Sequence, residues 1–333
     1  NPPFGHSGES AISSFFETNS GVLSGLNEKQ KADLLNFEGN AQGFRLLSRK
    51  GGELDVTPNV LAAFTKYPRE SVITDYKEES FAARKDQKKY GFFQSEKNVF
   101  ADISTNFNLL SLSGKNDMAF ARFPLAFLVE AADDICYTIM DIEDGVRLRI
   151  LPFFMARDVL LPILKQSEHN AVIQRCENLA DDTQRVSYLR AKVINELTMQ
   201  CSDCFIRNLK EIENGTFSDS LLSGIEGKLY VNTLKDAAAE NLYNYQPVAE
   251  IETAGFEIIH GLLEIILELQ SAPNTRRNQQ RALLFPQQIA NPAENLTYYE
   301  RLLVATDFIS GLTDGAAINL FNKIRGVSFP RIY

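Results

Sequence analysis

With 333 residues, 44% of them hydrophobic, the chain is long enough to bury a large core, as one large domain or two smaller ones. Its formal charge of −9 excludes a protein that coats nucleic acid through bulk positive charge. It leaves room for a local basic groove, or for a small polyanion gripped by a few converging lysines.

No apolar run is long enough to span a bilayer; the richest, Ile258 to Leu269, is short and carries charges. No secretory leader is visible. Four cysteines (Cys136, Cys176, Cys201, Cys204) do not make a disulfide framework in a chain of this length, so a cytoplasmic protein with no membrane contact is expected. The 23 phenylalanines, with no tryptophan, read mostly as core.

Helical patterns dominate in chain order. Residues 21–50 read as helix, turn, helix, with Leu34, Leu35, Phe37, Ala41, Phe44, Leu46 and Leu47 forming an apolar stripe. Thr57-Pro58 starts a helix, with Thr as cap and Pro in the first turn, and Tyr67-Pro68 ends it. Residues 76–90 are charged and aperiodic, a loop or frayed helix. Helices are expected over 95–108, 124–149, 152–169, 183–214, 220–239, 248–270 and 294–311, with a polar, basic loop at 274–280. Residues 214–217 and 53–56 are candidate hairpin pieces. The fold class is all-α.

The helix over 124–149 carries the most information. Leu125, Leu128, Val129, Ala132, Ile135, Cys136, Ile139, Met140 and Ile142 wrap most of its circumference and predict a largely buried helix. Yet Asp133, Tyr137, Asp141 and Asp144 share one face roughly 80° wide at about 100° per residue. Carboxylates stacked on a buried face repel and are costly to desolvate, so a cation or a ligand's hydroxyls would offset the cost. The alternative is a solvated stripe along one exposed edge; the apolar density favours a functional face.

The opening segment is Asn1-Pro-Pro-Phe-Gly-His-Ser-Gly-Glu9. On a helical turn His6 and Glu9 meet at i and i+3, where a carboxylate orients the imidazole and raises its proton affinity. Such a pair alone is more often surface decoration.

That opening segment resembles one in the deoxyguanosinetriphosphate triphosphohydrolase family of the HD superfamily. The same family is resembled, in the same order, by Phe37-Glu-Gly-Asn-Ala-Gln42, Ala63-Phe-Thr-Lys-Tyr-Pro68, Lys89-Tyr-Gly-Phe-Phe93 with Ser95-Glu96, Glu130-Ala-Ala-Asp-Asp-Ile-Cys-Tyr137 and Asp307-Phe-Ile-Ser-Gly-Leu-Thr-Asp314. The resemblance runs from Asn1 to about Gly326.

It implies an α-helical HD-domain fold with a helical C-terminal extension. Residues 1–150 would belong to the catalytic core, and 151–333 would complete the substrate pocket and oligomer contacts as one unit with it. It implies hydrolysis of a dNTP to deoxynucleoside and intact triphosphate, with a divalent metal (Mg, Mn or another transition metal) as cofactor. Asp133 is the implied metal ligand; the other ligands, two histidines and an aspartate, would precede Asn1, leaving the metal site of this chain incomplete.

By the same resemblance His6, oriented by Glu9, is the proton donor to the leaving oxygen or the positioner of the attacking water. Lys66, Tyr67 and Lys89 contact the triphosphate; Lys97 is a weaker candidate. Tyr137 stacks under the deoxyribose and Asp141 accepts its 3′-hydroxyl, which selects against a 2′-hydroxyl by exclusion. Tyr243 and Glu252 border the sugar or base. The expected partners are the dNTP, further copies of the chain (a tetramer or hexamer), and a regulatory dNTP or single-stranded DNA.

Two motifs carry little. Cys201-Ser-Asp-Cys204 lacks the second pair a zinc site needs. Arg276, Arg277 and Arg281 suit a phosphate but read first as a solvated loop. The competing functions are an HD phosphohydrolase acting on another nucleotide, which the Lys66/Lys89 pair disfavours, and a catalytically silent nucleotide-binding oligomer.

Overall fold

The computed structural model describes residues 2–49, 54–227 and 246–327, with side chains from 249 onward in the last stretch. These residues form helices joined by turns and by two longer segments, 65–78 and 107–123, that lie against each other. The extended pairings among them are three isolated antiparallel bridges, Arg69 with Ala119, Tyr76 with Ser113 and Ser111 with Phe120. The all-α expectation holds.

Helix α1 (Gly5–Thr18) follows the opening turn, and its apolar face (Ile12, Phe15, Phe16) is buried. Helix α2 (Glu28–Leu35) starts at a reciprocal Asn27/Gln30 capping box, which satisfies two otherwise orphaned amides. Helix α3 (Gly39–Ser48) follows after a three-residue link, and α4 (Pro58–Phe64) has Thr57 at its cap position and proline in its first turn. The α4 helix ends three residues before Tyr67, earlier than the Tyr67-Pro68 signal indicated.

The charged stretch 76–90 contains only α5 (Glu79–Ala82) and a short 3₁₀ turn. Then come α6 (Lys97–Asn106), α7 (Pro124–Arg147), α8 (Phe153–Leu160), α9 (His169–Glu177), α10 (Asp182–Arg207) and α11 (Leu209–Glu213). The last third holds α12 (Gln246–Ser271), α13 (Arg276–Ala282), α14 (Gln287–Ala290), α15 (Tyr298–Ser310) and α16 (Asp314–Arg325).

Several expectations need correction. The expected helix at 220–239 begins as a 3₁₀ turn, Leu221–Gly224, and 228–239 lie outside the described residues. The expected basic loop at 274–280 is mostly α13, because the Thr275 side chain accepts from the Asn278 amide and caps it. Residues 214–217 form a turn after α11 rather than a hairpin piece, and residue 53 of the other candidate lies outside the described residues. Helix α16 had not been expected; Thr313 caps it through the Ala316 amide.

Three apolar clusters hold the helices together. Phe16, Leu262, Leu263, Ile266, Leu302 and Ile309 join α1, α12 and α15. Ile135, Ile139, Ile142, Leu189, Val193 and Leu197 join α7 to α10. Phe44, Phe92, Phe100, Leu61 and Ile103 bind α3 and α4 to α6, with Phe92 stacked on Phe100 at 4.5 Å between ring centres. Ten phenylalanines are buried, Phe154 is exposed and the others among the described residues are half-buried, so the core reading holds for fewer than half of them.

The largest correction concerns α7. One face packs on α10, but Leu125, Leu128, Val129, Tyr137 and Met140 are exposed, and so are Ala132, Asp133, Cys136 and Asp144. The apolar residues circle the helix, yet the neighbours among the described residues cover only about half of its circumference. Asp133 is therefore solvated, and the expectation of a buried charge at that position fails.

Candidate active site

The opening residues fold back tightly. Phe4 and Gly5 both take left-handed backbone, φ 66° and 59°, and the Gly5 amide donates to the Pro2 carbonyl. Gly8 then passes so close to Pro3 that a Cβ would stand 2.0 Å from its carbonyl oxygen. The turn puts His6 in solvent and Glu9 at the buried edge of α1, with His6 Nδ1 3.4 Å from Glu9 Oε2. Burial raises the Glu9 carboxyl above its ordinary range, and the nearby Glu38 charge adds to this against Lys89 and His6.

Glu38 caps α3 without bonding its amides. Its carboxylate accepts from Lys89 at 3.0 Å and from the Asn40 side chain at 2.7 Å. Lys89 is itself partly buried; burial works against its charge, but Glu38 and then Glu9 outweigh that and raise its proton affinity. Tyr67 is near both lysines, with Lys66 Nζ 5.9 Å and the Arg122 guanidinium 5.8 Å from its ring centre and the Lys89 charge felt at its hydroxyl. Burial raises the Tyr67 hydroxyl too.

Lys66 is held from two directions. Its ammonium lies 3.4 Å from Glu130 and 3.6 Å from Asp134, and its carbonyl accepts from Arg122 at 2.7 Å. Arg122 and Glu130 form a buried bidentate ion pair. Burial lowers and the acids Asp134 and Glu130 raise the Lys66 ammonium, with a net upward shift.

The result is a ladder of ionisable side chains: His6, Glu9, Glu38, Lys89, then Tyr67, Lys66, Glu130, with the two carboxylates Glu9 and Glu38 side by side and a lysine beyond them. Beside its Lys66 end opens a cavity of about 490 Å³ between α3, α4 and α7, lined by Gly39, Asn40, Gly43, Lys66, Glu130 and Asp133 among others. Gly43 has no room for a side chain, since a Cβ would meet the Phe64 ring at 2.6 Å.

Of the sequence candidates, His6, Glu9, Lys66, Tyr67 and Lys89 come together. Asp133 reaches the same cavity, with Tyr137 exposed one turn on and Asp141 half-buried two turns on. Glu252 is exposed on α12, one turn before Gly255, against which the Phe4 ring packs; this places it at the His6 end of α1. Tyr243 lies outside the described residues. Lys97 turns away to Glu70 at 2.7 Å.

Sequence reasoning passed over Glu38, Asn40, Glu130 and Arg122. The first three stand inside motifs that had been picked out; Arg122 stands between Ala121 and Phe123 with no pattern to mark it.

The donor set also tests the expected metal. Among the described residues no three of His, Cys, Asp or Glu gather to hold an ion. Asp133 is one exposed carboxylate, and one carboxylate is a poor site for a divalent cation. A metal site built by these residues alone does not fit.

Of the remaining motif residues, Cys201, Cys204 and Arg281 are engaged within the fold, and Arg276 and Arg277 are exposed. Cys201 and Cys204 are free and buried, and burial pushes the Cys201 thiol up to about 11, the opposite of a reactive or metal-binding thiolate. Arg281 pairs with Glu268 at 2.7 Å. No helix among the described residues is long and apolar enough to cross a membrane.

Comparison with known proteins agrees with the ordered motifs. Residues 227–323 match the phosphohydrolase-associated domain. A deoxyguanosinetriphosphate triphosphohydrolase-like protein of Synechocystis is 37% identical over 98% of this chain and 74% of its own length. One from Listeria monocytogenes is 30% identical over 98% of this chain and 75% of its own. The deoxyguanosinetriphosphate triphosphohydrolase of Salmonella paratyphi A is 27% identical over 98% and 76%. On this similarity along nearly its whole length, the chain belongs to the deoxyguanosinetriphosphate triphosphohydrolase-like family.

Proposed function

We propose that the protein hydrolyses deoxynucleoside triphosphates to deoxynucleoside and intact inorganic triphosphate. The observation that carries this reading is the ladder: two lysines and a tyrosine that suit a chain of phosphates lead to a histidine–carboxylate pair. Lys66 and Lys89 are point charges kept protonated by their carboxylate neighbours, and both interact with Tyr67. They neutralise phosphate oxygens and hold the α-phosphate towards His6.

In the reaction, water attacks the α-phosphorus, a new P–O bond forms, and the bond from phosphorus to the 5′-oxygen breaks. His6 delivers a proton to the departing 5′-oxygen and recovers one from the water, so protons and charge balance. Glu9, 3.4 Å from His6 Nδ1, fixes the ring so that its other nitrogen faces the reacting oxygen. Tyr137 and Asp141, on the same side of α7 as Asp133, receive the sugar, and Glu252 with Tyr243 borders the sugar or base. The divalent metal stays in the proposal as a requirement of the assay.

The test is incubation of the full-length protein with each dNTP and Mg²⁺ or Mn²⁺, with products separated by anion exchange. Triphosphate and deoxynucleoside in equal amounts support the reading; pyrophosphate with a deoxynucleoside monophosphate excludes it.

A further inference from the structure

The Phe4 amide has no partner nearby in sequence. It donates instead to Asp314 Oδ1 at 2.9 Å, a residue 310 positions later in the first turn of α16. Asp314 is free to do so because Thr313 already caps α16 through the Ala316 amide. The recipient is a turn that needs holding, since a phenylalanine in left-handed backbone followed by a left-handed glycine is a costly conformation.

Two further contacts fasten the same element. The Phe4 ring lies so close to Gly255 that a Cβ there would stand 2.8 Å from it. One turn and a half along α1, the Ala11 carbonyl accepts from His260 Nε2 at 3.0 Å. Gly255, His260 and Asp314 all fall within the 227–323 stretch. His6 and Glu9 occupy the first turn and a half of α1, so the path of the Phe4–Gly5 turn sets where the imidazole points.

We propose that Asp314 is a positioning residue for the His6–Glu9 pair, acting through the Phe4 backbone amide. The region after residue 227 thereby aims the proton-transfer pair from behind, without touching substrate. This rests on the catalytic role given to His6 above.

The experiment compares Asp314→Ala with Asp314→Asn in the full-length protein by three readouts. These are amide hydrogen exchange over residues 4–9, steady-state kinetics with dGTP, and affinity for inorganic triphosphate. The Ala variant loses exchange protection over 4–9, and its kcat falls about tenfold or more, the scale of a slightly misaimed group. Its triphosphate affinity holds, because Lys66 and Lys89 sit on other elements. The Asn variant, whose side-chain oxygen still accepts, keeps protection and kcat near wild type.

An Ala variant with unchanged exchange over 4–9 and unchanged kcat overturns the proposal, as does an Asn variant impaired as much as Ala. Should the wild type turn over no dNTP, the functional reading fails and the exchange data alone decide: protection lost in Ala and kept in Asn supports the clamp, and equal protection overturns it.

Discussion

The Lys89 ammonium sits 3.0 Å from one oxygen of Glu38 and 2.9 Å from the other, so one of the two lysines assigned to the triphosphate is already engaged by protein. Lys66 is likewise shared between Glu130 and Asp134. Both cations are thus kept charged and in place, and in the proposed reading a polyanion would bind by joining each pair.

Replacing Lys89 with Met removes a charge-assisted contact, of about 1.5–3 kcal/mol, and leaves Glu38 without its cation. Affinity for inorganic triphosphate should fall by about 10- to 100-fold in titration calorimetry. Lys97→Met should leave it unchanged, since Lys97 stands apart from the ladder, at Glu70, whose other partners include Lys29 and Gln94. Equal losses in both variants would show that bulk charge, not the ladder, attracts the ligand.

His6→Ala should lower kcat by about 10²- to 10⁴-fold, the scale of a lost acid–base group, with triphosphate affinity retained. Glu9 adds a pH signature. Burial raises its carboxyl above 4.5, and its ionised form is the stronger acceptor for the His6 ring and the one that stabilises an imidazolium. Activity should therefore drop as pH falls through this raised value, on an acid limb nearer neutrality than an ordinary glutamate gives. In Glu9→Gln that limb should vanish; its persistence would place the titrating group elsewhere.

Asp33 makes a separate prediction about stability. It is fully buried, accepts from the Tyr299 hydroxyl and the Gln94 amide, and keeps one oxygen without a partner. Burial, with some help from Glu96, raises its carboxyl to about 7. Between its unfolded value of 3.8 and about 7, the folded state binds a proton that the unfolded state does not. The contribution to stability is complete below about 4 and is lost as pH rises through 7, a few kcal/mol in all. Denaturant titrations of wild type and Asp33→Asn should diverge in the variant's favour from pH 5 to pH 8. Parallel curves would show that Asp33 is ionised throughout.

For the chain of residues 1–333, calorimetric titration with Mn²⁺ should give no saturable binding in the micromolar range, because Asp133 is one exposed carboxylate without co-ligands among the described residues. Stoichiometric micromolar binding that disappears in Asp133→Ala would contradict this.

Much of the fold was legible because helix signals are local. The Thr57-Pro58 start and the apolar stripe of α3 depend on neighbours within a turn or two, and both helices formed as expected. Burial was less legible, because it depends on what packs against a helix. The apolar residues around α7 could not disclose that Leu125, Val129 and Met140 stay exposed. In the site, the residues with chemical character (His6, Lys66, Lys89) were visible one by one. Their connection was not, since Glu38 and Arg122 act through pairs 51 and 56 positions apart in sequence, with Lys89 and Lys66. The Phe4–Asp314 contact, across 310 positions, left no trace in any window of the sequence.

The most direct test of the central claim is hydrolysis of dGTP in ¹⁸O-labelled water with mass analysis of both products. Attack at the α-phosphorus with departure of the 5′-oxygen places one ¹⁸O in the inorganic triphosphate and none in the deoxyguanosine. Label in the deoxyguanosine would mean that carbon is attacked, and label in a monophosphate or pyrophosphate would mean that a different bond is cut; either result contradicts the account.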